Sequence, residues 1–402
     1  MEESQFSDLI ENNLASLEPK LLNAHKIIKC KVLPLGELGI YAYSTIRRVE
    51  IQYLDKKDST SSATFIVKIK LQATDKSTTR DYNLFDRESY VYEKILTKMN
   101  YHLSTINCVN SKLTPQFFTL LKEPDSILLE DLSSAGYKLG DRRVGLNMDE
   151  TLSVLSKIAK FHAASIKIQE NHPELISNLE KMSSSEQHSV YQIFYETGIV
   201  TLYEQACQWE GYQDVAQKLH QLKDKIMDKI VGSLKKSSNC VNVLNHRDLW
   251  TDNILLKHNQ QGKVLDSLMI DYQFVYWGSP GIDLNYFLFT SVENTVRKTM
   301  WNYLIHHYHS VLSSTLKDLG VNCRIPTVVD IHSEINHTGF QGFFACILKS
   351  VQMMRSNSFD YELALSQSPK RFDYMRAMFT TPEYLEFIKP LIREFYWMGY
   401  LD

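Results

Sequence analysis

Residues 243–256 read VLNHRDLWTDNILL, which sets His246-Arg247-Asp248 five residues ahead of Asn253. A carboxylate in that position can accept the proton of an attacking hydroxyl, and the asparagine amide oxygen just beyond it can ligate magnesium. A second acid ends an apolar run, Leu268-Met269-Ile270-Asp271, 23 residues beyond Asp248. Magnesium prefers oxygen ligands and is commonly held by one or two carboxylates together with substrate phosphates. Asn253 and Asp271 are therefore a candidate metal pair and Asp248 a candidate base. Together they suit phosphoryl transfer to an alcohol oxygen. Taken singly, each is an ordinary turn or cap residue; the spacing and the flanking strand-like runs favour the joint reading.

That chemistry needs a cation on the nucleotide phosphates. Phe65-Ile66-Val67-Lys68 has the apolar-then-lysine form of the phosphate-contacting lysine on a kinase's third strand. Alternation turns Lys70 the same way, so spacing leaves both open, with Lys68 favoured. Glu88 falls on the apolar stripe of the next segment, between Phe85 and Tyr92, where a buried charge needs a partner; Glu93 is its rival. The stretch GELGIYAYS, 36–44, offers two glycines but no full GxGxxG. Its amides and the Ser44 hydroxyl could cover phosphates, and an ordinary hairpin turn fits it equally well. Residues 127–132, ILLEDL, would present backbone groups around Glu130 and Leu132 to an adenine edge.

These residues require elements to hold them. Residues 28–35, 40–54 and 63–71 are rich in the Tyr, Ile, Val and Thr of strands, with a turn expected at 56–62. Residues 82–98 change to helical spacing, and strands are expected again at 117–122 and 126–130. Beyond about residue 133, long amphipathic segments at 149–170, 185–235, 292–315, 330–355 and 380–398 indicate helices. Two short strand-like runs, 241–245 and 265–272, interrupt them. The expectation is an α+β chain: an antiparallel β-sheet unit with one key helix over 1–131, then a mainly helical unit over 132–402, with the ligand cleft between them.

Composition narrows the function classes. The chain has 402 residues, 44% apolar and 23% charged, as globular proteins do. A formal net charge of -3 gives no broad basic face for nucleic acid. The acidic start MEESQFSDLIENN lacks the apolar core of a secretory signal. No apolar run reaches membrane-spanning length, so a cytoplasmic protein without a membrane partner is expected. The six cysteines form no CxxC pair, and they read as free thiols rather than a disulfide frame or zinc site.

With these pieces assembled, the chain resembles the insect ecdysteroid kinase-like family, related to choline kinases and aminoglycoside phosphotransferases. The matching pieces are Ile66-Val67-Lys68, Phe85-Asp86-Arg87-Glu88, Leu129-Glu130-Asp131-Leu132, Phe161-His162-Ala163-Ala164-Ser165, His246 to Asn253 with Leu249-Trp250, and Asp271-Tyr272-Gln273 leading to Gly278-Ser279-Pro280 and Asp283-Leu284. The resemblance implies a two-lobed protein-kinase-like fold and a monomer that uses ATP and Mg2+ to phosphorylate a small-molecule hydroxyl. It implies Asp248 as base, Asn253 and Asp271 as metal ligands, Lys68 with Glu88 as the phosphate-orienting pair, and Asp283 as a brace of the catalytic loop. Position 247 departs from the family pattern, with Arg where Gly is commoner.

Other readings compete. A protein kinase would carry Phe-Gly after Asp271, an Ala-Pro-Glu segment further on and usually Lys at 250; this chain has Tyr272-Gln273, no such segment and Trp250. Trp250 beside the base suits a small apolar acceptor better than a peptide. A module that binds nucleotide or an apolar ligand without turnover is the rival from another class. A steroid-like acceptor, with ecdysteroids leading by resemblance, would need an aromatic wall, and Phe194, Tyr195, Tyr203, Trp209, Phe340, Phe343, Phe344 and Tyr374 are available, although most such residues are core. Xenobiotic or choline-like alcohols are the alternative acceptors.

Overall fold

The computed structural model describes residues 24–34, 44–70, 83–106, 109–122, 125–182, 187–234, 236–237, 240–354, 363 and 368–402. The chain divides into two compact units, Met1–Lys98 with Thr114–Lys138, and Met99–Leu113 with Leu139–Asp402.

In the first unit, β1 (Ala24–Pro34), β2 (Ser44–Asp55), β3 (Thr60–Lys70), β4 (Phe117–Leu121) and β5 (Ser126–Glu130) form an antiparallel sheet in the order β1-β2-β3-β5-β4. Strand periodicity divides β3 between two faces. Phe65 and Val67 join Val49, Ile51 and Leu128 in an apolar cluster, whereas Lys68 faces the other way, opposite Ile46 on β2 and Ile127 on β5. A helix begins in this unit as α1 (Leu84–Tyr90), widens into a π-helical turn over Val91–Leu96 and continues as α2 (Thr97–Ser104), whose later residues belong to the second unit. Three strands, a helix and two strands is the expected order.

The second unit is mainly helical. After the short strand β6 (Tyr137–Leu139), α3 (Met148–Asn171) opens on a reciprocal capping box between Asn147 and Glu150. There follow α4 (Pro173–Lys181), α5 (Gln187–Gln208), α6 (Gln213–Leu222) and α7 (Ile226–Gly232). The stretch expected as one long segment, 185–235, is thus three helices, with Gly211 at φ 75 between the first two. Short strands come next: β7 (Val243–Asn245), the hairpin of β8 (Ile254–His258) and β9 (Val264–Met269), and β10 (Tyr276–Gly278), which pairs with β7.

The helix α8 (Gly281–Thr290) has no amphipathic stripe to betray it, because all ten of its residues are buried. It is followed by α9 (Asn294–Asp318), α10 (Val328–His337), α11 (Gly339–Met354), α12 (Lys370–Phe379) and α13 (Pro382–Trp397). The first turn of α8 lies against the end of α10. A Cβ at Gly281 would stand 2.3 Å from Thr338 Oγ1 and 2.4 Å from the Glu334 carbonyl oxygen, so only glycine fits there. Among the described residues no helix is long and apolar enough to cross a membrane.

Candidate functional site

In the first unit, the choice between the two lysines of β3 resolves into two parallel ion pairs. Lys68 Nζ lies 2.6 Å from Glu88 Oε2, with both side chains nearly dry at 8% and 1% exposed. Two residues on, Lys70 Nζ reaches both oxygens of Asp86 at 3.1 Å, with side chains 25% and 46% exposed. The two-residue stagger of strand and helix thus sorts an inner pair from an outer one. Glu93 instead lies 3.1 Å from Lys94 on the outside. Ser44, the first residue of β2, is buried, and positions 36–43 lie outside the described residues. At the end of β5, the Glu130 amide donates to the Gln116 carbonyl, and its carboxylate accepts the Gln116 amide, each at 2.9 Å. The Leu132 carbonyl accepts from the amides of Ala135 and Tyr137. Arg48 on β2 grips Asp131 between them at 2.7 Å. Hydrogen bonds from Ser133 and the Arg48 charge together outweigh the upward push of burial and lower the Asp131 pKa.

In the second unit, Asp248 and Asn253 lie in the loop that leads into the β8–β9 hairpin, and Asp271 lies just beyond its end. Ile254 pairs with Met269, and the Ile270 amide donates to the Asn253 carbonyl at 3.0 Å, which brings Asn253 alongside the turn that carries Asp271. The Asn253 Nδ2 group donates to the Asp248 carbonyl oxygen at 2.8 Å and to its Oδ2 at 2.9 Å. An amide so engaged through its nitrogen turns its Oδ1 elsewhere, as a metal ligand would require. Asp271 sits at φ 72, a left-handed conformation that aspartate tolerates better than most residues.

Around this trio the loop is tied from below. The buried carboxylate of Asp283 on α8 accepts the amides of His246 and Arg247 at 2.7 Å each. His162 Nε2, 3.1 Å away, supplies a third donor, with the ring set by Tyr308 at 2.7 Å on Nδ1. The Asp283 amide in turn donates to Asn245 Oδ1 at 3.1 Å. His246 is wholly buried and donates through Nε2 to the Ile270 carbonyl at 2.9 Å. Burial lowers its pKa against the opposing pull of Asp283, so it is a neutral strut between the two loops. Arg247 takes φ 64, where a glycine would be free of strain, and its guanidinium lies 5.7 Å from the Tyr276 ring.

One sequence reading needs correction, and the expectation that most of the aromatic residues are core holds. Trp250 is only 2% exposed, so its indole belongs to the interior and does not wall an acceptor. Of the aromatic residues considered for such a wall, Phe194, Tyr195, Phe340, Phe343 and Phe344 are buried in the helical core, and Tyr203, Trp209 and Tyr374 pack against it. One contact was missed altogether. The Tyr286 hydroxyl on α8 donates to Asp248 Oδ1 at 2.7 Å; its spacing of three from Asp283, one helical turn, was the available signal.

Among the described residues no cluster of three His, Cys, Asp or Glu side chains could cage a metal. The donor set offered by Asn253 and Asp271 is two oxygens, which fits magnesium completed by phosphates and water. Residues 40–321 match the ecdysteroid kinase-like family. No curated protein matches the chain. Among solved structures, choline kinase from Cryptosporidium parvum Iowa II shares 15% identity over 98% of this chain and 97% of its own, with a TM-score of 0.50. Plasmodium vivax ethanolamine kinase shares 17% over 96% and 89%, with a TM-score of 0.49. At such identity the choline kinase likeness speaks for the fold: an N-terminal antiparallel sheet and a larger, mostly helical part.

Proposed function

Because the chain belongs to the ecdysteroid kinase-like family, we propose that it is an ATP- and magnesium-dependent kinase of small-molecule alcohols, with an ecdysteroid or a similar steroid-sized alcohol as acceptor. The single observation that carries the activity is Asn253, whose side chain holds Asp248 while its carbonyl holds the amide beside Asp271. One residue thereby organises all three groups that phosphoryl transfer requires.

In this reading Lys68, oriented by Glu88, binds the nucleotide phosphates, with Ser44 beside them. At the edge of β5 the Leu132 carbonyl is already engaged, so Leu132 would meet adenine through its N–H and Glu130 through its carbonyl. Asn253 Oδ1 and the Asp271 carboxylate would hold magnesium, which when bound neutralises charge on the β- and γ-phosphates. Asp248 orients the acceptor hydroxyl and takes its proton as the new oxygen–phosphorus bond forms and the bond to the β-phosphate oxygen breaks, leaving ADP. Asp283 and His246 keep the loop in place while this occurs.

Mass spectrometry of products from Mg-ATP with ecdysteroids, plant steroids, xenobiotic alcohols and choline tests the proposal. Phosphorylated ecdysteroid is the expected product. Phosphorylation of choline or small amino-alcohols alone would refute the steroid-sized acceptor, and Mg-ATP binding without any phosphorylated product would refute the kinase.

A further inference from the structure

Tyr286 is 1% exposed, and its phenol stands in a chain of three groups that donate in one direction. Its only proton goes to Asp248 Oδ1 at 2.7 Å, so its oxygen must accept from the Gln352 side chain, whose Nε2 lies 3.3 Å away. The order Gln352 to Tyr286 to Asp248 follows from this, and each link polarises the next. The orientation has a cost: Gln352 Oε1 on α11 is buried without a hydrogen-bond partner. A buried amide oxygen left unsatisfied calls for an explanation, and presenting the NH2 group to Tyr286 supplies one. Burial and the nearby Asp248 charge push the phenol pKa well above its ordinary value, so the hydroxyl keeps its proton to donate.

The same turn of α8 grips four consecutive residues. The Asp283 amide holds Asn245, the Asp283 carboxylate holds the amides of His246 and Arg247, and Tyr286 holds the side chain of Asp248. The backbone grip fixes where the loop lies, but it leaves the rotation of the Asp248 carboxylate open, because terminal carboxylate torsions are soft. Asn253 engages Oδ2 and Tyr286 engages Oδ1, so together they fix the carboxylate plane.

We infer that Tyr286 is a positioning residue for phosphoryl transfer: its hydroxyl, oriented by Gln352, sets the rotation of the Asp248 carboxylate and so connects α11 to the base. The inference rests on Asp248 acting as the base.

The test uses the full chain as wild type, Tyr286→Phe, Gln352→Met and the double variant, with Mg-ATP and ecdysone as probes, together with a crystal structure of Tyr286→Phe. Misplacing a reacting group by an ångström costs up to about 10²-fold. Tyr286→Phe should therefore lower kcat by about 10- to 100-fold while KM for ATP and ecdysone stay within about twofold. Gln352→Met should lose less, and the double variant should be no worse than Tyr286→Phe, since Gln352 acts through the phenol. In the crystal, the Asp248 carboxylate should be rotated away from its wild-type plane. An unchanged kcat, multiplying losses in the double variant, or an unmoved carboxylate would each overturn the inference. A wild type inactive on ecdysone would count against the acceptor proposed above, and the carboxylate orientation would then decide the role of Tyr286.

Discussion

Lys68, buried in its unit, and Asp248, half-buried in the other, are both charged groups, and they are held in opposite ways. Lys68 is paired with a full opposite charge, Glu88, in a nearly dry contact. Asp248 accepts from two neutral donors, the Tyr286 hydroxyl on Oδ1 and the Asn253 amide on Oδ2. The difference follows from what each would have to do. A lysine that binds phosphates must keep its charge and direction, and an acid beside it secures both. A carboxylate that must accept a proton would lose basicity beside a cation, so neutral donors fix its direction at less cost to its chemistry.

The sharpest way to test this contrast is to remove the charge at 248. Asp248→Asn should lower turnover by about 10²- to 10⁴-fold, the range of a lost general base, with Mg-ATP binding retained in calorimetry. Loss of binding together with turnover would place Asp248 in nucleotide retention instead. At the other pole, Lys68→Met takes the lysine away from buried Glu88, and breaking a buried pair costs about 3–5 kcal/mol. The outer pair offers an internal control, since Lys70→Met should cost under about 1 kcal/mol. Urea denaturation of both variants reads this, and equal losses would erase the distinction between inner and outer pairs.

A third charge shows what burial does without a countercharge in hydrogen-bonding contact. Lys349 on α11 is 3% exposed and donates to the Thr290 carbonyl at 2.7 Å, near the end of α8. Burial pushes its pKa down from 10.5 to about 8. Below about pH 8 both the folded and the unfolded chain carry the proton, and the folded state bears the full cost of the buried charge. Between about 8 and 10.5 the unfolded chain binds more proton, so this group makes stability rise with pH. Lys349→Met should remove that rise from denaturation curves taken across the window; a variant with the same pH dependence as wild type would show that Lys349 keeps its ordinary proton affinity. The smallest effect is expected at Arg247→Gly. Relief of the left-handed strain is worth about 1–2 kcal/mol, offset by the greater freedom glycine gives the unfolded chain and by the loss of the contact with Tyr276, so melting should shift little.

Much of this was legible in the sequence because the informative features are local. Apolar alternation marks β3, and a two-residue stagger in the chain becomes the inner and outer pairs. Of the hairpin that brings Asn253 beside Asp271, only the second strand shows as an apolar run; its first strand, Ile254–His258, was not expected, and the expected run at 241–245 pairs with β10 instead. Less legible was anything decided by complete burial. The helix α8 shows no polar face, so periodicity could not find it, and Tyr286 went unnoticed with it. Trp250 was misread for a related reason: its neighbours in the chain are those of a site, whereas its neighbours in space are the core. The ion pair of Arg48 with Asp131 joins residues 83 apart, which no local pattern announces.

The absent methyl at position 281 bears on all of this from a distance. Any larger residue would prise the helix from its seat on Glu334 and Thr338, and that helix aims both the aspartate under the loop and the phenol beside the base. A substitution there would blunt the accuracy of the loop while altering none of its side chains, so aim would fail before the fold did.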